Sequence, residues 1–270
     1  MSVSGGCRRG LDVGTASVAR VYDCLLGGKD NFGVDRDAAA QILAVFPEAP
    51  VLAKANREFA ARAAGWCARA GIEQFLDIGT GLPTSPSVFE VAREQRPGAR
   101  IVGVDNDPVV LCHDRALLEG TQQEVRIIAG DVRDPDAIFD AADELIYPDR
   151  PTAVFLAALL HLLTDAEDPA RIVERIVEWL APGSVVVISH VTSTGTEPDV
   201  VERIEEIYRG ASSPVVFRSE AQIAGLFEGL ELVGPGLVDV QAWPERGAVF
   251  KPLPARILAG AGRVPGGGSR

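Results

Sequence analysis

The sequence predicts a doubly wound α/β fold, in which helices cover both faces of a mostly parallel sheet. From residue 72 onward, short runs rich in β-branched residues alternate with longer amphipathic segments, which is the pattern of such a sheet. The first run ends in the loop Asp77-Ile78-Gly79-Thr80-Gly81, whose glycines allow the backbone to turn sharply beside a ligand. Two later runs, at 230–243 and 247–251, predict an antiparallel hairpin at an edge of the sheet.

The predicted elements follow one another in a regular order. The parallel strands are predicted at 74–78, 100–105, 125–129, 153–157 and 184–190. The helices are predicted at 17–26, 35–46 and 49–70 before the sheet, at 87–95, 108–119, 134–142 and 169–180 between its strands, and at 202–208 and 219–226 after them. We therefore divide the chain into an N-terminal helical lid (1–71), an α/β core (72–259) and a glycine-rich tail (260–270) that we expect to be disordered.

Composition narrows the functional classes. The 270 residues, 47% of them hydrophobic and 24% charged, suit one globular domain with an N-terminal addition. The formal net charge of −12 disfavours binding to nucleic acid or to an anionic membrane surface. The longest apolar stretches, 152–163 and 184–189, are shorter than the roughly 20 residues of a transmembrane helix, and the N-terminus has no apolar signal core. We expect a cytoplasmic protein.

The four cysteines, Cys7, Cys24, Cys67 and Cys112, are widely scattered, without a Cys-x-x-Cys pair and without histidines at ligand spacing. The sequence therefore predicts neither a metal site nor a disulfide framework. Cys67 and Cys112 fall in apolar helical patterns, where we expect them to pack as small hydrophobic residues.

The loop after the first strand suits a cofactor that carries a carboxylate. Ser85 and Pro86 offer a helix N-cap and a first-turn proline, so the N–H groups of the following helix can face an anion. This arrangement suits the methionyl end of S-adenosylmethionine (SAM). A dinucleotide-binding loop needs a third glycine where this chain has Thr84, which argues against NAD or FAD.

An aspartate also follows each of the next two strands. Asp105 can accept hydrogen bonds from both ribose hydroxyls, whereas Asp107 is predicted to cap the next helix. Asp131 can accept a bond from the adenine amine while Val132 offers its N–H. Because the carboxyl ends of parallel strands meet at the same edge of a sheet, we expect one crevice there. The predicted cofactor-binding residues are Asp77, Gly79, Thr80, Gly81, Asp105, Asn106, Asp131, Val132, Leu156 and Ala157.

Two segments carry a more specific signal, residues 17–31 (SVARVYDCLLGGKDN) and residues 74–86 (QFLDIGTGLPTSP). Both resemble the actinobacterial S-adenosyl methyltransferase family, formerly a domain of unknown function, and the similarity extends from residue 17 to residue 252. The resemblance implies a class I methyltransferase core with a Rossmann-like sheet, a SAM site, an N-terminal helical lid and an acceptor that is generally unassigned. Cys24 and the segment 243–246 depart from the family pattern, which bears on the substrate rather than on the fold.

Methyl transfer from a sulfonium is an in-line displacement, so the site must align the acceptor, exclude water and, where needed, remove a proton. His161 follows the fourth strand and is the candidate general base; its alternative role is to shape the pocket wall. The segment 22–31 combines polar side chains with Gly27-Gly28, which suits a closing lid or, alternatively, only a helix C-cap. The predicted acceptor and lid residues are Arg20, Tyr22, Lys29, Asn31 and His190.

A SAM-dependent methyltransferase that acts on an unidentified small molecule is the first functional hypothesis. Its cofactor would be SAM, with S-adenosylhomocysteine (SAH) as the product, and a homodimer is left open. Two alternatives stay open: a SAM-binding regulator without turnover, and an enzyme that uses SAM for a different reaction. No residue distinguishes the three, and the first is preferred because methyl transfer is the most common use of such a site.

Overall fold

The computed structural model describes residues 12–119, 124–244 and 252–266. Its helices are α1 (Val18–Leu25), α2 (Gly33–Val45), α3 (Ala49–Arg69), α4 (Val88–Gln95), α5 (Pro108–Asp114), α6 (Pro135–Ala142), α7 (Pro169–Trp179), α8 (Pro198–Tyr208) and α9 (Glu220–Gly225). Its strands are β1 (Gln74–Ile78), β2 (Arg100–Asp105), β3 (Val125–Ala129), β4 (Thr152–Ala157), β5 (Val185–Thr192), β6 (Glu231–Leu232), β7 (Val238–Asp239) and β8 (Arg256–Arg263).

These strands form one sheet in the order β3-β2-β1-β4-β5-β8-β6, with β7 also paired to β8. Strands β1 to β5 are parallel, and β8 runs antiparallel to β5. Helices cover both faces of the sheet. Alternate residues of each strand therefore pack into two separate hydrophobic cores, one on each face. Phe75 stacks on Phe155 on the face that carries α3 and α4, while Leu76 packs with Ile138 and Ile172 on the other face. The predicted doubly wound α/β fold is confirmed.

Helix α3 lies against one face of the sheet through a side made mostly of alanine. Ala60, Ala63, Ala64 and Ala68 are all buried there, and their small side chains let the helix lie close to the strands. Cys67 packs in the same layer, where burial raises the pKa of its thiol to about 12. Cys112 is exposed, so the prediction that it packs as a core residue was wrong.

Several element boundaries differ from the sequence prediction. Helix α4 is capped by Ser87, whose hydroxyl accepts the Glu90 N–H at 3.1 Å, so the predicted cap at Ser85 was wrong. The Glu90 carboxylate in turn accepts the Ser87 N–H. This reciprocal pair of bonds is a capping box, which explains why the helix begins after Ser87. Helix α8 begins at Pro198 rather than at residue 202, and α5 ends at Asp114, before a π-helical turn over Arg115–Glu119.

The C-terminal part of the sheet corrects two expectations. We predicted disorder from residue 260, but β8 continues to Arg263 and pairs with β5 along its whole length, from Val185 to Thr192. The antiparallel strand is therefore not an outer strand, because β6 and β7 flank β8 on its other side. Residues 247–251, the second half of the predicted hairpin, lie outside the described residues.

Among the described residues, no single helix has the length and hydropathy needed to cross a membrane. Helices α2 and α3 reach those values only as a pair that is bent by 106°.

Candidate functional site

A cavity of about 490 Å³ lies at the carboxyl ends of β1 to β4. Its floor is the loop after β1 and the three following strand ends. Helices α1 and α3 and the segment 208–215 form its roof, so residues from the N-terminal region and from the core share one cavity. This volume lies within the usual range for small-molecule sites, about 300–1,000 Å³.

The loop after β1 leaves room for a ligand because of its two glycines. Gly79 has φ +78°, and a Cβ added to it would come within 2.8 Å of the Leu159 side chain. Gly81 has φ +61° and lines the cavity, and a Cβ added there would meet no atom within 4 Å. A side chain at residue 81 would therefore extend into the empty space of the cavity. This glycine cradle fits a ligand that approaches the backbone closely, as the methionyl part of SAM would.

Asp105 is held in place at the end of β2. Its two carboxylate oxygens accept hydrogen bonds from the Gly81 N–H at 3.0 Å and from the Asp107 N–H at 2.8 Å. Burial raises the pKa of the Asp105 carboxyl, and these backbone bonds oppose the shift. The side chain lines the cavity beside the glycine cradle and has lone pairs left for a hydroxyl-bearing ligand.

The end of β3 contributes a second fixed carboxylate. Asp131 accepts the side-chain amide of Asn106 at 2.9 Å and the Arg133 N–H at 3.0 Å. Partial burial raises the pKa of Asp131, but these hydrogen bonds and the Arg133 guanidinium outweigh burial, so its pKa is lowered. Val132, which is buried, lines the cavity next to it.

A buried carboxyl group, that of Asp114, contacts the glycine cradle through Thr80. Asp114 on α5 accepts a hydrogen bond from the Thr80 hydroxyl at 2.6 Å and is fully buried. Burial, together with the nearby carboxylates Asp105 and Asp77, raises its pKa to about 7 against the Thr80 bond. Burial likewise raises the pKa of Asp77, at the end of β1, to about 7. The loop is therefore built on carboxyl groups that are partly protonated near neutral pH.

Replacing Asp114 with asparagine should make the stability of the protein less dependent on pH. The folded-state pKa of Asp114 lies above its unfolded value of 3.8. At Asp114 the folded state therefore binds more protons than the unfolded state. The contribution of this carboxyl group to the free energy of unfolding thus falls as pH rises from about 4 to about 7. Asparagine can still accept the Thr80 hydroxyl but never ionises, so we expect Asp114→Asn to gain about 1–3 kcal/mol relative to the wild-type protein between about pH 5 and about pH 8.

Urea unfolding at about pH 5 and about pH 8 measures this effect. The exposed Asp149→Asn variant is the control, and we expect it to follow the wild-type protein at both pH values. Equal pH dependence of Asp114→Asn and wild type would contradict the assignment of a raised pKa to Asp114.

The sequence prediction missed two residues of α3 that reach the cavity. The Arg57 guanidinium donates to the backbone oxygens of Thr80 and Leu82 at 3.3 and 3.0 Å, and its Nε is buried without a partner among the described residues. Asn56 is bonded on both sides, because it donates to the Tyr22 hydroxyl and accepts the Ser189 hydroxyl at 2.6 Å. The available signal was the polar run 56–58 in an alanine-rich helix.

The N-terminal helices are tied to the core by a buried arginine. Arg20 bonds Asp35 at 2.9 Å and Asp107 at 3.3 Å, and the Ser17 hydroxyl also donates to Asp107. Asp107 caps α5 as predicted, through the Val109 N–H at 2.8 Å, so one carboxylate joins the cap to the N-terminal region.

Two of the predicted lid residues do not line the cavity. The Asn31 side chain donates to Asp23 at 2.8 Å, and the Asp30 N–H donates to the same oxygen at 3.1 Å, so Asp23 gathers the loop around itself. Lys29 is exposed on this loop and does not line the cavity. Arg20 and Tyr22 do line the cavity, and Asp23 lines it in place of the predicted Asn31.

Two further predicted site residues, Leu156 and His190, do not line the cavity. Leu156 is fully buried in the core on the opposite face of the sheet, because neighbouring residues of a strand point to opposite faces; its neighbour Ala157 lines the cavity. His190 is fully buried behind the wall, whereas His161 lines the cavity in a single 3-10 turn, Leu160–Leu162. The cavity brings together the other predicted cofactor residues: Asp77, Gly79, Thr80, Gly81, Asp105, Asn106, Asp131 and Val132.

A parallel sheet with an antiparallel strand beside β5, and a glycine loop and acidic strand ends around one cavity, define the class I SAM-dependent methyltransferases. The chain matches the S-adenosyl methyltransferase family over residues 5–265 and belongs to that family. The resemblance in the sequence is thereby confirmed, and the cofactor of the protein is SAM.

Solved structures agree with this assignment. The chain is similar to a candidate methyltransferase from Thermobifida fusca YX, with 37% identity and a TM-score of 0.89 over 98% of this chain and 100% of that one. It is also similar to a DUF574 family protein from Streptomyces avermitilis MA-4680, with 36% identity and a TM-score of 0.88 over 94% and 99%.

Human N-acetylserotonin methyltransferase, whose structure contains SAM, shares only the fold, with 12% identity and a TM-score of 0.50 over 91% of this chain and 59% of that one. None of the curated proteins matches the sequence.

Proposed function

We propose that this SAM-dependent methyltransferase transfers a methyl group to a small molecule that binds in the same cavity as the cofactor. The observation that carries the proposal is the roof of the cavity, where Tyr22 and Tyr208 lie above the strand ends. A roofed cavity accommodates a molecule of limited size and excludes water from the reacting atoms. The net charge of −12 supports a small acceptor over a polyanion such as nucleic acid.

The cofactor would be held mainly by groups that are already fixed. Asp105 would accept the ribose hydroxyls, and Asp131 with the Val132 N–H would receive the adenine. At the methionyl end, Asp77 would face the ammonium group, and Arg57, which also lines the cavity, would supply positive charge for the carboxylate. Bound SAM supplies an electrophilic methyl group.

The acceptor would lie between the cofactor and the roof. Leu162 and Val215 supply apolar surface there, and the hydroxyls of Tyr22 and Tyr208 lie in the same wall. Burial raises the pKa of both phenols, so they stay neutral and do not remove a proton from the acceptor. Alignment of the acceptor with the methyl group and exclusion of water are then the main contributions of the protein to the rate.

Lid closure would be confined to the loop after α1. Helix α1 is anchored through Arg20, and the Tyr22 hydroxyl donates to the Ala53 carbonyl at 2.8 Å, whereas the loop around Lys29 is exposed. We expect SAM to slow tryptic cleavage after Lys29, because a ligand in the cavity stabilises the closed loop. The Asp105→Ala variant is the control and should show no protection. Equal cleavage of the wild-type protein with and without SAM would contradict a lid.

Incubation of the protein with SAM and cell extract tests the function. Formation of SAH above the level of a protein-free control supports methyl transfer. Methylthioadenosine instead of SAH would indicate a different use of SAM, such as aminocarboxypropyl transfer. Tight SAM binding without either product, across extracts that contain diverse small molecules, would favour a regulator.

A further inference from the structure

Two histidine rings meet at the wall of the cavity, that of His161 after β4 and that of His190 in β5, with ring centroids 5.4 Å apart and planes at 79°. His190 has partners on both nitrogens: Nδ1 lies 2.6 Å from the Val191 carbonyl, and Nε2 lies 2.9 Å from an Arg218 Nη1. A guanidinium can only donate. Nε2 of His190 must therefore accept, and the ring proton is on Nδ1.

Arg218 is a buried clamp on the segment that carries His161. Its guanidinium donates to the carbonyls of Leu160 and Leu163 at 3.1 and 2.8 Å and to the Asp165 carboxylate at 2.7 Å. Its side chain is only 4% exposed. The backbone of His161 is fixed from the other side, since its carbonyl accepts the Val216 N–H at 2.8 Å. The backbone that carries the His161 ring is therefore fixed on both sides.

The two nitrogens of His161 have different surroundings. Nδ1 is buried and has no hydrogen-bond partner among the described residues, so Nε2 is the nitrogen that can reach the cavity. A proton on Nδ1 would be a buried N–H without an acceptor, which folded proteins rarely contain. A proton on Nε2 leaves only an unfilled lone pair inside and directs the N–H towards the cavity.

A second proton on His161 is also disfavoured. Burial lowers its pKa well below the ordinary value, and His190 and the positive charge of Arg218 act in the same direction. The carboxylate of Asp165 does not cancel that charge at His161, because Asp165 is bonded to the outer end of the guanidinium and is 74% exposed.

We propose that His161 is a permanently neutral hydrogen-bond donor, with its proton on Nε2, and that it recognises a lone pair on the methyl acceptor. The acceptor then presents a carbonyl, ether or phenolic oxygen, or an unprotonated ring nitrogen, to the wall after β4. His161 does not act as the general base that the sequence suggested, because its Nε2 already carries a proton. The identity of the recognised molecule rests on the proposed function, whereas the position of the proton does not.

Nitrogen-15 NMR of the full-length protein with labelled histidine decides the position of the proton. The chain has three histidines, so the variants His113→Gln, His161→Gln and His190→Gln assign every ring. We expect the Nε2–H pattern for His161, the Nδ1–H pattern for His190, and no titration of either ring between about pH 5.5 and about pH 8.5, with added imidazole as the titration reference. An Nδ1–H pattern for His161, or a titration midpoint within that range, would overturn the proposal.

Two substitutions distinguish the role of the Nε2–H donor from the role of the ring shape. The amide nitrogen of glutamine can take the place of Nε2, whereas the shorter asparagine reaches only the place of Nδ1. In extract where the wild-type protein forms SAH, we expect His161→Asn to form SAH about two- to tenfold more slowly than His161→Gln, with SAM affinity by calorimetry unchanged in both. Equal rates in the two variants would overturn the donor role. Absence of SAH with wild-type protein would count against the proposed function alone, because the NMR result stands without turnover.

Discussion

Replacing Arg20 with methionine should lower the free energy of unfolding by about 3–5 kcal/mol. The guanidinium bonds Asp35 and Asp107, and it also donates to the backbone oxygens of Asp12 and Thr15 at 3.2 and 2.9 Å. Methionine keeps the apolar stem but leaves the fully buried carboxylate of Asp35 without its counter-charge. Removing one member of a buried ion pair leaves an uncompensated charge, which costs more than the intact pair contributes, so we expect a large loss.

Urea unfolding followed by circular dichroism measures this loss. Arg171→Met is the matched control, since Arg171 is 64% exposed and pairs with Glu174 on the surface of α7. Surface pairs of this kind contribute little, so we expect its unfolding curve to overlay the wild-type curve. If Arg20→Met unfolded at the same urea concentration as Arg171→Met, the N-terminal helices would not be anchored as described.

Replacing Asp105 with alanine should weaken SAM binding by about 2–4 kcal/mol, which corresponds to roughly 30- to 800-fold in Kd. Two losses combine in this variant. The ribose hydroxyls lose a charged acceptor, and the N–H groups of Gly81 and Asp107 lose the oxygens that orient the loop. Isothermal titration calorimetry with SAM measures the change directly.

Asp134→Ala provides the control for this experiment. Asp134 follows the same strand end as Asp131 but caps α6, through the Ala137 N–H at 3.2 Å, and does not line the cavity. We expect it to lose about 1 kcal/mol of stability and to bind SAM as the wild-type protein does. Unchanged affinity in Asp105→Ala would refute the ribose role.

The sequence predicted the parallel part of the sheet well because its signals are local. Strands β1 to β5 are short, mostly apolar runs that are all buried or nearly so, and the predicted bounds agree with the structure within about two residues. Strand β8 was missed because Gly260 and Gly262 read as a loop. In the structure they provide space: a Cβ at Gly262 would lie 2.8 Å from the Leu230 side chain. Only the packed sheet reveals that requirement.

The site residues at the strand ends could be predicted from the sequence. Those that reach the site because a helix or a distant segment packs against it could not. The carboxyl ends of parallel strands must meet, so Asp77, Asp105 and Asp131 could be brought together from the sequence alone. Arg57 reaches the loop only because α3 lies at one angle across the sheet, and no local pattern encodes that angle. Arg218 was missed for the same reason, since it is remote in sequence from the turn that it holds.

The position of β8 inside the sheet also governs how the chain can be made. Strand β5 ends at Thr192, but the strand that covers its free edge begins only at Arg256. During synthesis, the unpaired N–H and C=O groups of β5 stay available to other nascent chains until this late segment leaves the ribosome. The time taken to translate residues 193–263 therefore sets how long this edge of β5 remains without its partner strand.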